Sequence, residues 1–242
     1  MTGTEITQLY RAVLVRAWPG ALLLAVLNAV FFDRLAAALP DPLAPDALER
    51  GIALIGSAGL WRGVLALALL SLWPTCALVL CALRMVRGEA LPALGALPLA
   101  LRTYPAALLL SVAFALLTAL GLMLFVVPGI YLAGALQLWV VALLAGDAAA
   151  SRSLPASWRL VQGRWWRSNS MVAIVLLCGL GVGTLVSIVG SVLVQGLGVV
   201  LHPNGPALRA AGLVLAVAAG FVSAPAYPVA LVASYRDLLE PR

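Results

Sequence analysis

Residues 16–29 read RAWPGALLLAVLNA, and residues 102–115 read RTYPAALLLSVAFA. Eight of the fourteen positions are identical, and an aromatic, Trp18 or Tyr104, precedes the proline in both. A weaker third copy, RWWRSNSMVAIVLL, begins at Arg164. Each copy sets an arginine and an aromatic immediately before a long apolar run. Arginines and indoles or phenols flanking apolar runs are the residues that sit at a membrane–water boundary. The motif therefore marks places where the chain leaves a membrane surface and enters the bilayer, with proline tolerated in the first turn.

The runs behind the motif are long enough to cross. A spanning helix needs about 20 apolar residues. Uncharged intervals of 21, 44, 41 and 26 residues separate Arg62 from Arg84, Arg102 from Asp147, Arg167 from Arg209 and Arg209 from Arg236. The first, from Arg16 to Asp33, holds 16, but Arg16 can snorkel and LAAAL continues the run beyond Arg34. VVPGI at 126–130 divides the 44-residue interval into two spans at a tight turn, Pro128-Gly129. The 41-residue interval shows no turn signal before HPNGP at 202–206, so it reads as one span over about 169–192 with an outer extension. Six spans result. With 64% hydrophobic and 10% charged residues and a mean hydropathy of +1.09, a soluble domain is excluded, since those carry about 25% charged residues.

All fifteen basic residues are arginine, which with the Ala and Leu excess suits a GC-rich bacterial genome. With both termini inside, the cytoplasmic segments hold Arg11, Arg16, Arg84, Arg87, Arg102, Arg152, Arg159, Arg164, Arg167, Arg236 and Arg242. Only Arg34, Arg50, Arg62 and Arg209 fall outside, and eleven against four orients the chain in a bacterial inner membrane with cytoplasmic termini. The basic balance thus reflects topology and anionic lipid, and nucleic acid is not needed as a partner. Glu5 in the leader and Asp33-Arg34 near the end of the first span read as an uncleaved anchor, not a signal peptide. Cys76, Cys81 and Cys178 fall inside spans and read as small buried hydrophobes.

The repetition extends beyond the motif. LPLALR at 97–102 parallels LPASWR at 154–159, and each follows a glycine–acid pair, Gly88-Glu89 or Gly146-Asp147. LWPTCALVLCALR from Leu72 likewise parallels AYPVALVASYR from Ala226. The expectation is one all-α membrane domain over 1–242, a six-helix bundle of three units at about 1–87, 88–146 and 147–242. Each unit is an interfacial helix followed by a transmembrane hairpin. In SLPASWRLVQGRWWR, Ser153 is the expected N-cap and Pro155 lies in the first turn. Leu154, Trp158, Val161 and Trp165 form an apolar stripe, with Arg152, Arg159 and Arg167 on other faces. Arg16, Trp18, Arg102, Tyr104, Arg152, Trp158, Arg159, Arg164, Trp165, Trp166 and Arg167 are the candidate headgroup contacts. Between the last two spans, Gly179, Gly183, Ser187 and Ser191 face Gly212, Ala216, Gly220 and Ala224 as small-residue packing stripes. Pro225 and Pro228 are expected to kink the last span.

No ionisable residue falls inside a span, the usual pointer to transport or catalysis. Asn28, Gln137 and Gln195 read as interhelical hydrogen-bonding groups. Asp33, Arg34 and Arg62 stand at outer span ends, where they could pair, and Asp33, Asp41, Glu49 and His202 are the outer polar residues. His202, the single histidine, sits in a turn-forming loop without metal-ligand spacing around it. No phosphate-binding loop, nucleophile elbow, zinc motif or paired carboxylates occur, so neither catalytic residues nor cofactor are expected.

Residues 124–167, LFVVPGIYLAGALQLWVVALLAGDAAASRSLPASWRLVQGRWWR, carry Pro-Gly-Ile-Tyr, an acidic residue, Ser-Leu-x-x-Ser-Trp and Gly-Arg-x-Trp. In these features the chain resembles the bacterial glycerophosphoryl diester phosphodiesterase membrane-domain family and its YciC-like relatives. The resemblance implies a multi-pass membrane module and transfers no catalytic residue, because the partner phosphodiesterase domain has no counterpart in this sequence. The sequence favours a non-enzymatic module that binds or organises anionic lipids, partner membrane proteins or both through basic, Trp-rich cytoplasmic helices. A transporter or channel for a small or lipidic solute is the alternative, since transporters are also built from repeats, although paired inverted ones. A headgroup-modifying enzyme comes third.

Overall fold

The computed structural model describes residues 2–40, 45–89, 91–92, 94–146, 149–201 and 205–239. Asp41, Asp147, His202, Arg242 and the side chain of Gln195 lie outside the described residues. Among those described the chain is all α. Helices run α1 (Gly3–Arg16), α2 (Trp18–Ala38), α3 (Ala47–Gly56), α4 (Ala58–Val86), α5 (Ala96–Leu124), α6 (Val126–Leu136) and α7 (Trp139–Ala145). A short 3-10 turn (Ala150–Arg152) leads into α8 (Ser153–Val161), α9 (Trp165–Leu201), α10 (Gly205–Ser223) and α11 (Ala226–Leu239). Six stretches are long and apolar enough to cross a membrane: Trp18–Ala38, Ala58–Val86, Ala96–Leu124, Val126–Ala145, Trp165–Leu193 and Ala207–Leu239. The protein is a multi-pass, all-α membrane bundle.

The repeated motif acts differently at its three sites. In the first copy, α1 stops at Ala17 and α2 starts on Trp18 with Pro19 in its first turn, where the missing N–H costs no bond. In the third, Gly163 turns the chain at a φ of 77° and α9 starts on Trp165. The second copy breaks nothing. α5 runs unbroken from Ala96 with Pro105 inside it, so 97–102 is no separate surface helix. No glycine or left-handed residue stops the helix there, and membrane helices tolerate proline.

Three other expectations need correcting. The turn between the third and fourth stretches is at Phe125, extended at φ −162° and ψ 149°, three residues before Pro128. The hairpin closes on glycines instead: a Cβ on Gly121 would stand 3.0 Å from the Gly129 Cα. Next, Val126–Ala145 is broken at Gln137-Leu138 into helices of 11 and 7 residues, about 16 and 10 Å long. Third, Ser153 is the first helical residue of α8 and not its cap; Arg152 holds the cap position, and the Ser153 hydroxyl donates to the Ala149 carbonyl at 3.3 Å. The long interval behaves as expected: α9 spans over Trp165–Leu193 and extends beyond it to Leu201 as one 37-residue helix, about 55 Å against a hydrocarbon core of about 30 Å. Pro225 and Pro228 act more strongly than a kink: α10 ends at Ser223 and α11 begins at Ala226.

The packed core sits at one end of the bundle. Cys76–Leu83 of α4, Leu138 with Trp139–Ala142 of α7, and Pro228–Tyr235 of α11 are buried without a break. Helices buried all round show no apolar stripe. Leu9 and Val13 of α1, Ala96 and Ala100 of α5 and Val161 of α8 close the core. Beyond it, α9 presents Leu177, Leu180, Leu185, Ile188 and Val192 outward, as a lipid-facing helix does.

Contacts along the helices fix which ends lie together. A Cβ on Gly20 would meet Leu78, and one on Gly63 would meet Phe31, so α2 and α4 run antiparallel. Gly220 stands against Ala25, and Arg209 pairs with Asp33, so α10 runs antiparallel to α2. At the core end, Arg84 pairs with Glu89, Arg167 pairs with Asp237, and Arg87 donates to the Ala145 carbonyl at 2.9 Å. The start of α9 and the ends of α4, α7 and α11 therefore share one end, while Asp33 and Arg209 mark the other.

Two measurements check this. In a variant whose native cysteines are replaced by alanine, Gly88→Cys and Ser151→Cys react with an impermeant maleimide from the same membrane face, and Glu49→Cys from the opposite face. Leu78→Ala, wholly buried, costs about 2–5 kcal/mol in unfolding from detergent micelles, whereas exposed Leu185→Ala stays within about 0.5 kcal/mol.

Candidate functional site

The most built-up surface lies where α6 meets the corner between α8 and α9. Tyr131 is its hub. Its ring stacks on Trp165 at 5.6 Å and 14°, and meets Trp158 edge-on at 5.6 Å and 77°. Trp165 in turn meets Trp166 edge-on at 4.9 Å and donates its indole N–H to the Tyr131 carbonyl at 3.0 Å. Such aromatic pairs contribute about 0.5–1.5 kcal/mol each beyond area burial. Polar bonds brace the same corner. Ser157 donates to the Ala135 carbonyl at 2.9 Å, and the Gln137 amide donates to Asn169 at 2.9 Å. Ala135 and Gln137 lie where α6 gives way to α7, so the helix break is stitched to α8 and α9.

Arginines differ sharply in what they touch. Arg167 makes a two-pronged pair with Asp237, Nε to Oδ2 and Nη2 to Oδ1, both at 2.7 Å. Asp237 is only 13% exposed, so most of its carboxylate is withdrawn from water beside that partner. Arg164 donates through Nη1 to the Leu238 carbonyl at 2.9 Å, a neutral acceptor. Arg152, at the cap of α8, and Arg159, on it, are exposed. The inward face of α8 is Ser153, Ser157 and Val161, with Leu154 and Trp158 half-buried beside them. The small serines let α8 approach α6 closely, which an apolar-stripe reading does not anticipate.

Between α6 and this corner lies a cleft of about 710 Å³, lined by Val127, Ile130, Tyr131 and Gly163–Arg167. The other candidate contacts are scattered. Trp18 is exposed at the start of α2, Arg102 is exposed on α5, and Tyr104 donates its hydroxyl to the Leu69 carbonyl at 2.9 Å. Arg16 lines a separate cleft of about 540 Å³ with Glu5, Glu89 and Arg236. There the Thr2 backbone N–H holds the Glu5 carboxyl below the usual carboxylate range.

The small-residue stripes pack, but not simply against each other. Gly179 faces Ala226, and a Cβ on Gly183 would stand 3.3 Å from Ser223 and 3.6 Å from the Ala219 carbonyl. Gly220 instead faces Ala25 of α2, and Gly212 has open space beside it. Gly190, absent from the expected stripe, leaves room for Leu215. Ser191 bonds back to Ile188 of its own helix. Ser187, Ala216 and Ala224 line a groove of about 500 Å³ between α2, α9 and α10, together with Asn28, Thr184 and Ser223. Asn28 also bonds within its own helix, to the Leu24 carbonyl at 2.8 Å. At the end of the bundle away from the packed core, Asp33 accepts two bonds from Arg209, at 3.2 and 2.8 Å, so its hydrogen-bonded partner is neither Arg34 nor Arg62.

Tyr131 and Ser157 stand in the Pro-Gly-Ile-Tyr and Ser-Leu-x-x-Ser-Trp motifs, but their roles at this corner, like those of Asp237 and the buried Ser168–Ser234 hydroxyl pair at 2.9 Å, were not read from the sequence. Only the Arg-Asp registers of 167 and 237 could have pointed to Asp237. No family model, curated protein or solved structure matches this chain.

Asp237→Asn removes the Asp237 carboxylate from Arg167, whose guanidinium is still reached by water, and lowers unfolding stability by about 1 kcal/mol. Retention of wild-type stability in micelles would show the pair to be incidental.

Proposed function

We propose that this chain is a non-enzymatic module of the bacterial inner membrane, with cytoplasmic termini, that binds and organises anionic lipid at its arginine end. The carrying observation is the assembly there of the exposed Arg152 and Arg159, the Arg164–Arg167 corner and the Tyr131–Trp158–Trp165–Trp166 aromatic cluster. Indoles favour the headgroup depth, and each arginine near an anionic leaflet contributes about 1 kcal/mol. Arg167 is taken up by Asp237 in holding the corner to the bundle, while Arg152 and Arg159 look outward. That division suits a surface meant to stay rigid while meeting a fluid partner. It agrees with what the resemblance of residues 124–167 implies, a multi-pass module without catalytic residues of its own.

One observation favours a second reading, transport of a small or lipidic solute. The α2–α9–α10 groove places Asn28, Thr184, Ser187 and Ser223 together along apolar spans. Hydroxyls and an amide in such a groove could serve a passing polar group. Its lining among the described residues includes no ionisable side chain to couple or gate such passage, and so the lipid reading is preferred.

Spin-labelled lipids in nanodiscs separate the two. Arg152→Gln with Arg159→Gln is expected to cut the preference for phosphatidylglycerol over phosphatidylcholine severalfold, while Asn28→Leu leaves it unchanged. Solute uptake into proteoliposomes that Asn28→Leu abolishes would decide for transport.

A further inference from the structure

The cleft at the α8–α9 corner has two walls of different chemistry. Val127 and Ile130, both exposed, form an apolar wall on α6. The facing wall is the turn from Gly163 to Arg167, where Gly163 has nothing within 4 Å of the position a Cβ would take, so the opening stays clear. Charges on this wall do not cancel. Arg167 is neutralised by Asp237. Arg164 is held by a neutral carbonyl, and no ion pair among the described residues includes it. One positive charge therefore stands beside an apolar wall. Trp166, 80% exposed, lines the same cleft. Its indole N–H has no acceptor among the described residues, whereas that of Trp165 is taken by Tyr131.

We infer that this cleft is a discrete site for one anionic glycerophospholipid, with its phosphate on Arg164 and the Trp166 N–H and an acyl chain along Val127 and Ile130. The inference rests on the proposed lipid-binding role and narrows it from a diffuse basic surface to a single place. A guanidinium fork and an indole donor are matched to phosphate oxygens. The volume lies within the range of about 300–1,000 Å³ found for ligand sites. It accommodates a headgroup and the upper part of a chain, and the remainder of that chain stays in the bilayer. The apolar wall selects a lipid over a free anion, because water-soluble phosphate gains nothing from Val127 and Ile130. Tyr131 and Trp165 keep the two walls at fixed separation, so the site is set by the aromatic stack and not by a mobile loop.

Native mass spectrometry of the detergent-purified chain, titrated with phosphatidylglycerol or phosphatidylcholine, tests this. One phosphatidylglycerol is expected to survive at a one-to-one ratio on the wild type. Arg164→Gln and Val127→Trp, the latter filling the cleft without changing charge, are each expected to lower that occupancy about tenfold. Arg164→Lys restores part of it, and Arg62→Gln, exposed on α4 toward the opposite end of the bundle, leaves it in place. Unfolding midpoints and circular dichroism confirm that the variants are folded. Should phosphatidylglycerol still be preferred and its occupancy be equal in the cleft variants, the discrete site is wrong although the lipid-binding role stands. Equal retention of both lipids by the wild type overturns the role and the site together. Displacement of the lipid by excess inorganic phosphate alone assigns the cleft to a soluble anion and overturns the lipid site.

Discussion

A backbone in hydrocarbon has no water to bond, and every amide left open there costs several kcal/mol. That constraint decides the secondary structure before any side chain is consulted. It also explains the tolerance of Pro74 and Pro105 inside α4 and α5. Interrupting a helix in this setting exposes several groups at once, so one missing N–H is the lesser cost. Where the chain does break, at Phe125, Gln137-Leu138 and Ala224-Pro225, the break is packed by glycines, stitched by Ser157 and Asn169, or bonded back to Gly220.

The same constraint divides the molecule into two kinds of territory. At the arginine end, Cys76–Leu83, Leu138–Ala142 and Pro228–Tyr235 are buried on all sides by other protein. Toward the far end, long helices face outward on most sides. Apolar side chains gain little by leaving lipid for protein, so association in the outer part relies on close approach at Gly183, Gly190 and Gly220. The core end combines close packing with ion pairs at Arg84, Arg167 and their carboxylates. Rigidity is thus concentrated beside the surface that carries the aromatic and arginine cluster, and a recognition surface built there is preorganised.

Much of this was legible in the sequence because hydropathy and charge are one-dimensional signals. The uncharged intervals predict six spans, and the arginine count predicts that residues 84–89, 145–167 and 236–239 gather at one end. Trp18 and Trp165 open helices, as the repeated motif implies. The copy at Arg102 fails because a motif reports a boundary preference, while a helix end also needs a residue that adopts a non-helical backbone. Ala17 and Gly163 do so at the first and third sites, and α5 has no equivalent near Tyr104. Pro128 misled for a related reason: proline marks a first turn as readily as a stop, and the stop itself fell on Phe125.

By itself the sequence determined the class of structure, the number of apolar stretches and the gathering of positive charge, since each depends on composition along the chain. Only the tertiary structure decided that Asp237 neutralises Arg167 and leaves Arg164 charged, that Gly220 meets α2, and that Tyr131 joins α6 to Trp158 and Trp165. Those pairings join residues 27 to 195 positions apart. They depend on helix rotation and crossing, which the apolar pattern leaves open because in lipid nearly every face of a spanning helix is apolar.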